Sequence, residues 1–412
     1  MNFEEKISVD ISGMDWMINY VRWASRRLPS GGNNFSVIAD IAEGFSCEAL
    51  AEKVTSFEKL GAFLSGSIKR KLPDWRPHWY CNKNVKTGII LEFDRESAEI
   101  VIKNELSEGV SVKIIYFELQ KKLLFTFSHA VFDGVGAEKF ISFVLQPDSC
   151  DMDIARSIPP DIPAMKKSGR ELQLLMKKFP EKKILRWPDV YKNTANEFRK
   201  ISFAPEKYRM LEKEVEKKYG PFTFSLFILA VILCNLEKYV FAENTSAEYI
   251  FIPMSVDMRN AKPEEYDMFF NHWSLMPLLI SRKKLAEGVP SALKHLKMLY
   301  AESLVAHVPQ LFYEAAEAMK YVPRRFIDMF VKITPAKTLG TLMFSFLNSS
   351  NDGMVADIAH YPNMPYGSNL GFFVNICNEN FNIVISRRPW RDDGEFEEFC
   401  RELEIQFQKE II

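Results

Sequence analysis

The run Phe127-Ser128-His129-Ala130-Val131-Phe132-Asp133-Gly134 sets one imidazole, a carboxylate four residues on and then a glycine at the end of an apolar stretch. A neutral imidazole can take a proton from a hydroxyl or an amine while that group attacks a carbonyl, so His129 is a candidate general base. Asp133 is poorly placed to be a second base. If the loop curls back, its carboxylate turns away from the ring and can pair with a cation, fixing the loop that presents His129, while Gly134 supplies backbone freedom for the curl. The plain alternative is a loop histidine followed by a turn aspartate, and spacing by itself does not decide between them.

The elements around this run must place the imidazole. Val112–Phe117 and residues 123–127 are β-rich and joined by the polar Glu118-Leu119-Gln120-Lys121-Lys122, which predicts a hairpin. Beyond Gly134 the apolar residues Val135, Phe140, Ile141, Phe143 and Val144 fit one face of a short helix ending before Pro147-Asp148. His129 therefore falls where strand gives way to loop and then helix.

Further along, prolines and lysines crowd residues 147–199, with Pro159-Pro160, Pro163, Pro180 and Pro188 around Lys166-Lys167, Lys177-Lys178 and Lys182-Lys183. The segment reads as a crossover linker with some helix, and its lysines as solvated faces. It divides the chain into residues 1–146, the linker 147–199, and residues 200–412. Strands mixed with long helices on both sides predict an α+β protein with sheets covered by helices.

The motif and the order of elements together resemble the superfamily of chloramphenicol acetyltransferase, nonribosomal peptide synthetase condensation domains and related alcohol and polyketide-associated acyltransferases. Those proteins carry His-x-x-x-Asp or His-His-x-x-x-Asp-Gly at such a strand end, and His129 matches the catalytic histidine. The resemblance extends over nearly the whole chain. Residues 34–42 and 46–64 match an opening strand and helix, and residues 200–239 match the start of a second half. Residues 249–258 followed by Arg259, then Tyr266-Asp267-Met268-Phe269-Phe270-Asn271 ahead of Met276-Pro277-Leu278, match later strands. Residues 370–375 and 382–386 match a final hairpin. Two departures stand out: Ser128 occupies the first histidine position of the condensation-domain form, and the Asp-Phe-Gly-Trp-Gly motif of plant-type members is missing.

The resemblance implies two chloramphenicol acetyltransferase-like subdomains forming a V, with His129 midway along a central channel. It implies that Arg259 pairs with Asp133 to hold the motif loop, the alternative being a surface arginine. Asn271 would line the channel or donate to a developing oxyanion, or else serve as a cap, and Ser349 would be an oxyanion donor or part of a polar turn. The implied activity is acyl transfer from a thioester, either acyl-CoA or a carrier-bound phosphopantetheine thioester, to a small-molecule alcohol or amine. No bound cofactor is implied; the thioester is a co-substrate, and an acyl carrier protein is a partner to be considered beside coenzyme A. The contrasting readings are a catalytically degenerate binding protein and a free-standing condensation domain that forms amide bonds.

Composition sets outer bounds. With 53 basic and 54 acidic residues the whole chain has no electrostatic case for nucleic acid. The six cysteines lie scattered without metal-ligand spacing, and none of the remaining histidines, His78, His272, His295, His307 and His360, forms a zinc pair. No Gly-x-Ser-x-Gly elbow supports a serine nucleophile. The most apolar stretch, residues 222–236, is too short for a membrane span and reads as a buried helix. The acidic start lacks the order of a secretory signal, and the expected location is the cytoplasm. The 33 phenylalanines are read as core residues, with an apolar acyl channel as the more specific alternative.

Overall fold

A computed structural model describes residues 8–25, 33–42, 44–56, 58–70, 76–81, 88–146, 162–177, 183–186, 195–241, 246–259, 268–322, 340–349, 354–365, 368–388 and 393–409. The first part of the chain gives β1 (Ser8–Asp10), α1 (Gly13–Ser25), β2 (Asn34–Ile41), α2 (Cys47–Ser56), α3 (Glu58–Leu64), β3 (Ser67–Arg70), β4 (Pro77–Tyr80) and β5 (Ile89–Asp94). The predicted hairpin is β6 (Val112–Phe117) and β7 (Lys122–Ser128), followed by α4 (Gly134–Leu145). Within the linker α5 (Ile162–Met176) is helical, while most of its prolines, Lys178 and Lys182 lie outside the described residues.

The second part contains β8 (Glu197–Phe203), α6 (Pro205–Tyr219), α7 (Phe224–Tyr239), β9 (Tyr249–Asp257), β10 (Trp273–Ser281), α8 (Arg282–Ala286), α9 (Val289–Val305) and α10 (Val308–Ala316). A 3-10 turn, Glu317–Tyr321, follows, and the chain continues with β11 (Met343–Ser349), β12 (Val355–Pro362), β13 (Leu370–Cys377), β14 (Asn380–Arg387) and α11 (Asp393–Lys409).

These elements make the expected α+β architecture on two main sheets, ordered β12-β2-β7-β6-β5 and β10-β9-β11-β13-β14-β8, with a small sheet β1-β4-β3 beside them. In the larger sheet β11 runs parallel to both β9 and β13, while its other pairings are antiparallel. Each main sheet has its own apolar core. In the second half α7 is its centre, with Phe227, Ile228, Leu229, Val231, Ile232 and Leu233 all without exposed surface. Burial on every side accounts for the uniformly apolar sequence of α7, and among the described residues no single helix is long and apolar enough to cross a membrane.

The first core is aromatic: Phe127, Phe132 and Phe140 pack with centroids 5.0–5.8 Å apart, bringing β7, the motif loop and α4 together. Each such buried ring contributes roughly 1.5–3 kcal/mol. This packing holds α4 against the strand that ends at the motif.

The boundary drawn at residues 147–199 does not separate the sheets. β12, more than 150 residues after the linker, pairs antiparallel with β2 along Pro362↔Phe35, His360↔Val37 and Ile358↔Ala39, and so belongs to the first sheet. Met268, Phe269 and Phe270 likewise enter the first core. The physical reason is that β2 is apolar on the core face and needs a strand on each side; β7 supplies one ladder and β12 the other. The opening helix predicted over residues 46–64 is two helices, α2 and α3.

Candidate active site

Alternation along β7 decides where His129 points. Phe127 faces α4, and the ring of Phe35 on β2 stacks on it at 5.5 Å. The same Phe35 ring meets His129 edge-on at 5.4 Å, so the imidazole continues the core-facing row. Ser128 faces the other way. Its Oγ is buried and has no hydrogen-bond partner among the described residues. The serine at the position of a first motif histidine is thus on the opposite side of the strand from the imidazole.

Past Ser128 the chain turns, with the N–H groups of Val131 and Phe132 donating to the Ser128 carbonyl at 3.0 and 3.1 Å. Asp133 then caps α4 in an extended conformation, accepting from the Gly136 N–H at 2.8 Å. The same Oδ1 accepts from Arg259 Nη2 at 2.8 Å, and Oδ2 accepts from the His272 N–H at 2.9 Å. Both side chains of the Asp133–Arg259 pair are 6% exposed. Arg259 also reaches Asp257 Oδ1 at 3.0 Å, which fixes the guanidinium from its outer side.

Gly134 departs from the expected role. It starts α4 and is not among the left-handed glycines, so the loop needs no special freedom there. What it provides is room: a Cβ would lie 2.9 Å from Leu347 Cδ1 on β11. Gly136 is tighter still, since a Cβ there would lie 2.2 Å from the Met268 carbonyl oxygen.

A second segment, 268–272, runs alongside the motif loop. Phe132 forms a parallel bridge with Phe270, whose N–H donates to the Val131 carbonyl, and Asn271 Nδ2 donates to the His129 carbonyl at 3.0 Å. Tyr266 and Asp267, the start of the predicted 266–271 run, lie outside the described residues. Asn271 is 1% exposed, and its side-chain N–H groups bond the His129 carbonyl and Asp15 Oδ1, the latter at 3.0 Å. In this arrangement the amide has no N–H left for an oxyanion, and Asn271 braces the loop. Ser349 ends β11 with its Oγ 3.4 Å from the Ile376 carbonyl, on the same strand face as Leu347, which approaches Gly134.

The electrostatics suit a neutral imidazole. Burial pushes His129 below the ordinary histidine range, against the opposing pull of Asp133, of nearby backbone carbonyls and of Asn271. Its Nδ1 is enclosed and without a hydrogen-bond partner among the described residues. Asp133 shows the opposite balance. Burial works against its charge, but Arg259, the Gly136 N–H and His272 outweigh it and hold the carboxyl below the usual range.

Two residues around the site, Asp15 and His360, were not singled out by the sequence. Asp15, on α1, takes the Asn271 N–H at 2.7 Å as well as its amide. His360, on β12, lies over the other face of Phe35 with centroids 6.2 Å apart and bonds Glu138 Oε1 of α4 at 2.9 Å. His272 lends its backbone to Asp133 while its Nε2 lies 3.0 Å from the Phe269 carbonyl. One local signal was present: Ser12-Gly13-Met14-Asp15 has the spacing of a helix capping box.

No protein-family model matches the chain, and no curated protein matches it by sequence. Solved structures do match in fold. The epimerization domain from the third module of tyrocidine synthetase B is 12% identical with a TM-score of 0.65, covering 98% of this chain and 96% of that one. Trichothecene 15-O-acetyltransferase from Fusarium sporotrichioides is 14% identical with a TM-score of 0.66, covering 98% and 94%. The starter condensation domain of rhizomide synthetase, in complex with C8-CoA and Leu-SNAC, is 9% identical with a TM-score of 0.62, covering 98% and 95%. The fold is therefore the one shared by condensation domains and chloramphenicol acetyltransferase-like enzymes.

Proposed function

We propose that this chain uses the condensation-domain and chloramphenicol acetyltransferase-like fold to move an acyl group from a thioester to an alcohol or amine, with His129 as the general base. The observation that carries the reading is the placement of His129. Its imidazole is disfavoured as a cation by burial and held by a loop whose carbonyls at 129 and 131 and carboxylate at 133 are bonded by residues 270–272 and Arg259.

In the proposed step the free imidazole nitrogen takes the proton of the acceptor O–H or N–H as the acceptor atom bonds to the thioester carbonyl carbon. The carbonyl π pair moves onto oxygen. Collapse of that tetrahedral species breaks the carbon–sulfur bond, and the imidazolium returns the proton to the departing thiolate, leaving an ester or amide and a free thiol. Asp133 takes no proton; bound to Arg259, it fixes the loop. Ser349 is the proposed oxyanion donor, its hydroxyl turning from the long 3.4 Å bond to the Ile376 carbonyl, because it shares a strand face with Leu347, which lies against Gly134. The enzyme needs no bound cofactor in this scheme. The donor is acyl-CoA or a carrier-bound phosphopantetheine thioester, and both substrates reach His129 through the channel proposed between the halves.

The neighbours with this fold include an acetyltransferase and a condensation domain captured with an acyl-CoA, which supports acyl transfer as the reaction class. Purified protein incubated with acyl-CoA mixtures and pools of alcohols and amines should release thiol in step with a new ester or amide. His129→Ala should lower that rate about 10²- to 10⁴-fold with the fold intact. Thiol release that persists in a folded His129→Ala protein rejects the assignment of the base. Saturable ligand binding with no thiol release from any donor, carrier-bound thioesters included, supports the binding-protein reading instead.

A further inference from the structure

Asp15 lies at the start of α1, 114 positions before His129, with no exposed surface. Its two carboxylate oxygens serve different elements. Oδ2 accepts from the Ser12 N–H at 2.8 Å and the Ser12 hydroxyl at 2.7 Å, while the Asp15 N–H donates to Ser12 Oγ at 3.1 Å. Those bonds complete the capping box of α1. Oδ1 is not used by the helix. It accepts the backbone N–H of Asn271 at 2.7 Å and the Asn271 side-chain amide at 3.0 Å, and that same amide donates to the His129 carbonyl at 3.0 Å.

A capping box works on a solvated surface and does not require its carboxylate to be enclosed. Burying one is costly unless every lone pair is met, and burial does push this carboxyl upward against the donors of Ser12 and Asn271. The site is also tightly built around it. The Gly13 N–H donates to Glu317 Oε1 at 2.5 Å, and a Cβ on Gly13 would fall 2.1 Å from the Ala316 carbonyl oxygen. Lys320 pairs with Glu317 at 2.6 Å and donates to the Ile11 carbonyl at 3.0 Å, clasping the segment from the other side. The start of α1 is thereby fixed between the 3-10 turn and Asn271, which lies against the motif loop.

We propose that Asp15 is a positioning residue for the base: acting through Asn271, it sets the His129 carbonyl and with it the angle at which the imidazole meets the acceptor. This inference rests on the acyl-transfer reading for its kinetic arm but not for its spectroscopic one. Asn271 without Asp15 can rotate its amide and abandon the His129 carbonyl, since Trp273 Nε1 at 3.2 Å from Oδ1 is then its remaining side-chain tether within this network. Asp15→Asn preserves volume but turns an N–H₂ toward the Asn271 donors, or toward Ser12, and cannot satisfy both sides.

Two measurements test it. In the protein labelled with ¹⁵N-histidine, the ring signals of His129 are assigned by their loss in His129→Ala. Asp15→Asn is expected to displace those signals while leaving those of His295, on α9, in place, and Asn271→Ala should displace them too. Asp15→Asn combined with Asn271→Ala should add no more than Asn271→Ala does alone, because the path runs through Asn271. In the transfer assay, kcat should fall about 10- to 100-fold, the effect of misplacing a reacting group, with each KM within about twofold. A purely structural Asp15 would lower the active fraction and stability without moving the His129 signals of the folded protein.

Unchanged His129 signals in folded Asp15→Asn, or displacements that add in the double variant, overturn the proposal. If the wild-type protein transfers no acyl group, the functional reading fails and the ring signals still decide the role of Asp15. Should Asp15→Asn not fold, Ser12→Ala removes one donor and leaves the Asp15–Asn271 contact; it is expected to displace the same His129 signals by less, and their complete constancy counts against the proposal.

Discussion

Removing the guanidinium of Arg259 should unfold the motif loop's support before it touches the chemistry. Asp133 is 6% exposed at its side chain and receives three donors: Arg259 Nη2 and the N–H groups of Gly136 and His272. Arg259→Ala leaves a buried carboxylate with two backbone donors and no countercharge, a change that costs about 3–5 kcal/mol. Asp133→Asn instead takes from the guanidinium its buried counter-ion, leaving it the more exposed Asp257, and also turns an amide N–H toward existing donors. Because the two single variants break the same contact, the double variant should lose less than the sum, with a coupling of about 1–3 kcal/mol. Asp257→Ala is the internal control. Its carboxylate is 44% exposed, so its bond to Arg259 contributes only about 0–1 kcal/mol in screened surroundings.

The assay is urea unfolding followed by tryptophan fluorescence, with slopes compared to confirm that the same transition is measured. Its pH dependence supplies a second check. Asp133 has its carboxyl lowered in the folded protein, so its stabilisation is complete above the ordinary carboxyl range and is lost as pH falls through the lowered folded value. Arg259→Ala should therefore lose most stability at neutral pH, with the gap from wild type narrowing in acid. Additive losses in the cycle, or a loss below about 1 kcal/mol for Arg259→Ala, would refute the reasoning that the pair is a buried, coupled unit.

Direct transfer requires both substrates at His129 together, so initial rates should give intersecting double-reciprocal lines, and intact mass after donor alone should show no acylated protein; parallel lines with an acyl adduct would instead reveal a covalent nucleophile. The acid limb of kcat/KM should fall below the ordinary imidazole value of about 6.5, because burial lowers His129 and the neutral ring is the working form. Asp133→Asn removes a charge that favours the imidazolium and should move that limb further down in a pH–rate profile. Gly136→Ala should destabilise by about 1–3 kcal/mol or more through collision with the Met268 carbonyl, whereas Gly134→Ala meets only the movable end of Leu347 and should cost under about 1 kcal/mol by thermal unfolding.

Local patterns were legible in the sequence. Alternation and a polar turn located β6 and β7, and a helical apolar face located α4, because those elements are stabilised by neighbours close along the chain. The Asp133–Arg259 partnership came from resemblance; 126 positions separate the two residues, and no spacing rule joins them. Two features were not legible. The strand of residues 355–362 carries Asp357 and His360, and its place beside β2 depends on a ladder with residues more than 300 positions earlier. Asp15 could be seen as one member of a capping box, but its enclosure and its bonds to Asn271 arise only when α1, the motif loop and the 268–272 segment meet. The role given to Gly134 shifted for a similar reason: its constraint is the approach of β11, a tertiary neighbour, and not its own backbone.

The insertion of β12 beside β2 also fixes when the first sheet can be finished during synthesis. A ribosome releases β2, β7 and α4 well before β12, and one edge of β2, with Phe35 and Val37 on its core face, has no partner until residue 362, more than 200 positions beyond α4, has been made. Throughout that interval the nascent chain presents an apolar open edge, the feature that draws foreign strands and chaperones. A transcript truncated after α4 would yield such an edge permanently. Late closure also means that the imidazole and the strand that backs its aromatic neighbour come together only once β12 is made, more than 200 positions beyond α4, so a partly made chain holds the motif without the scaffold that orients it.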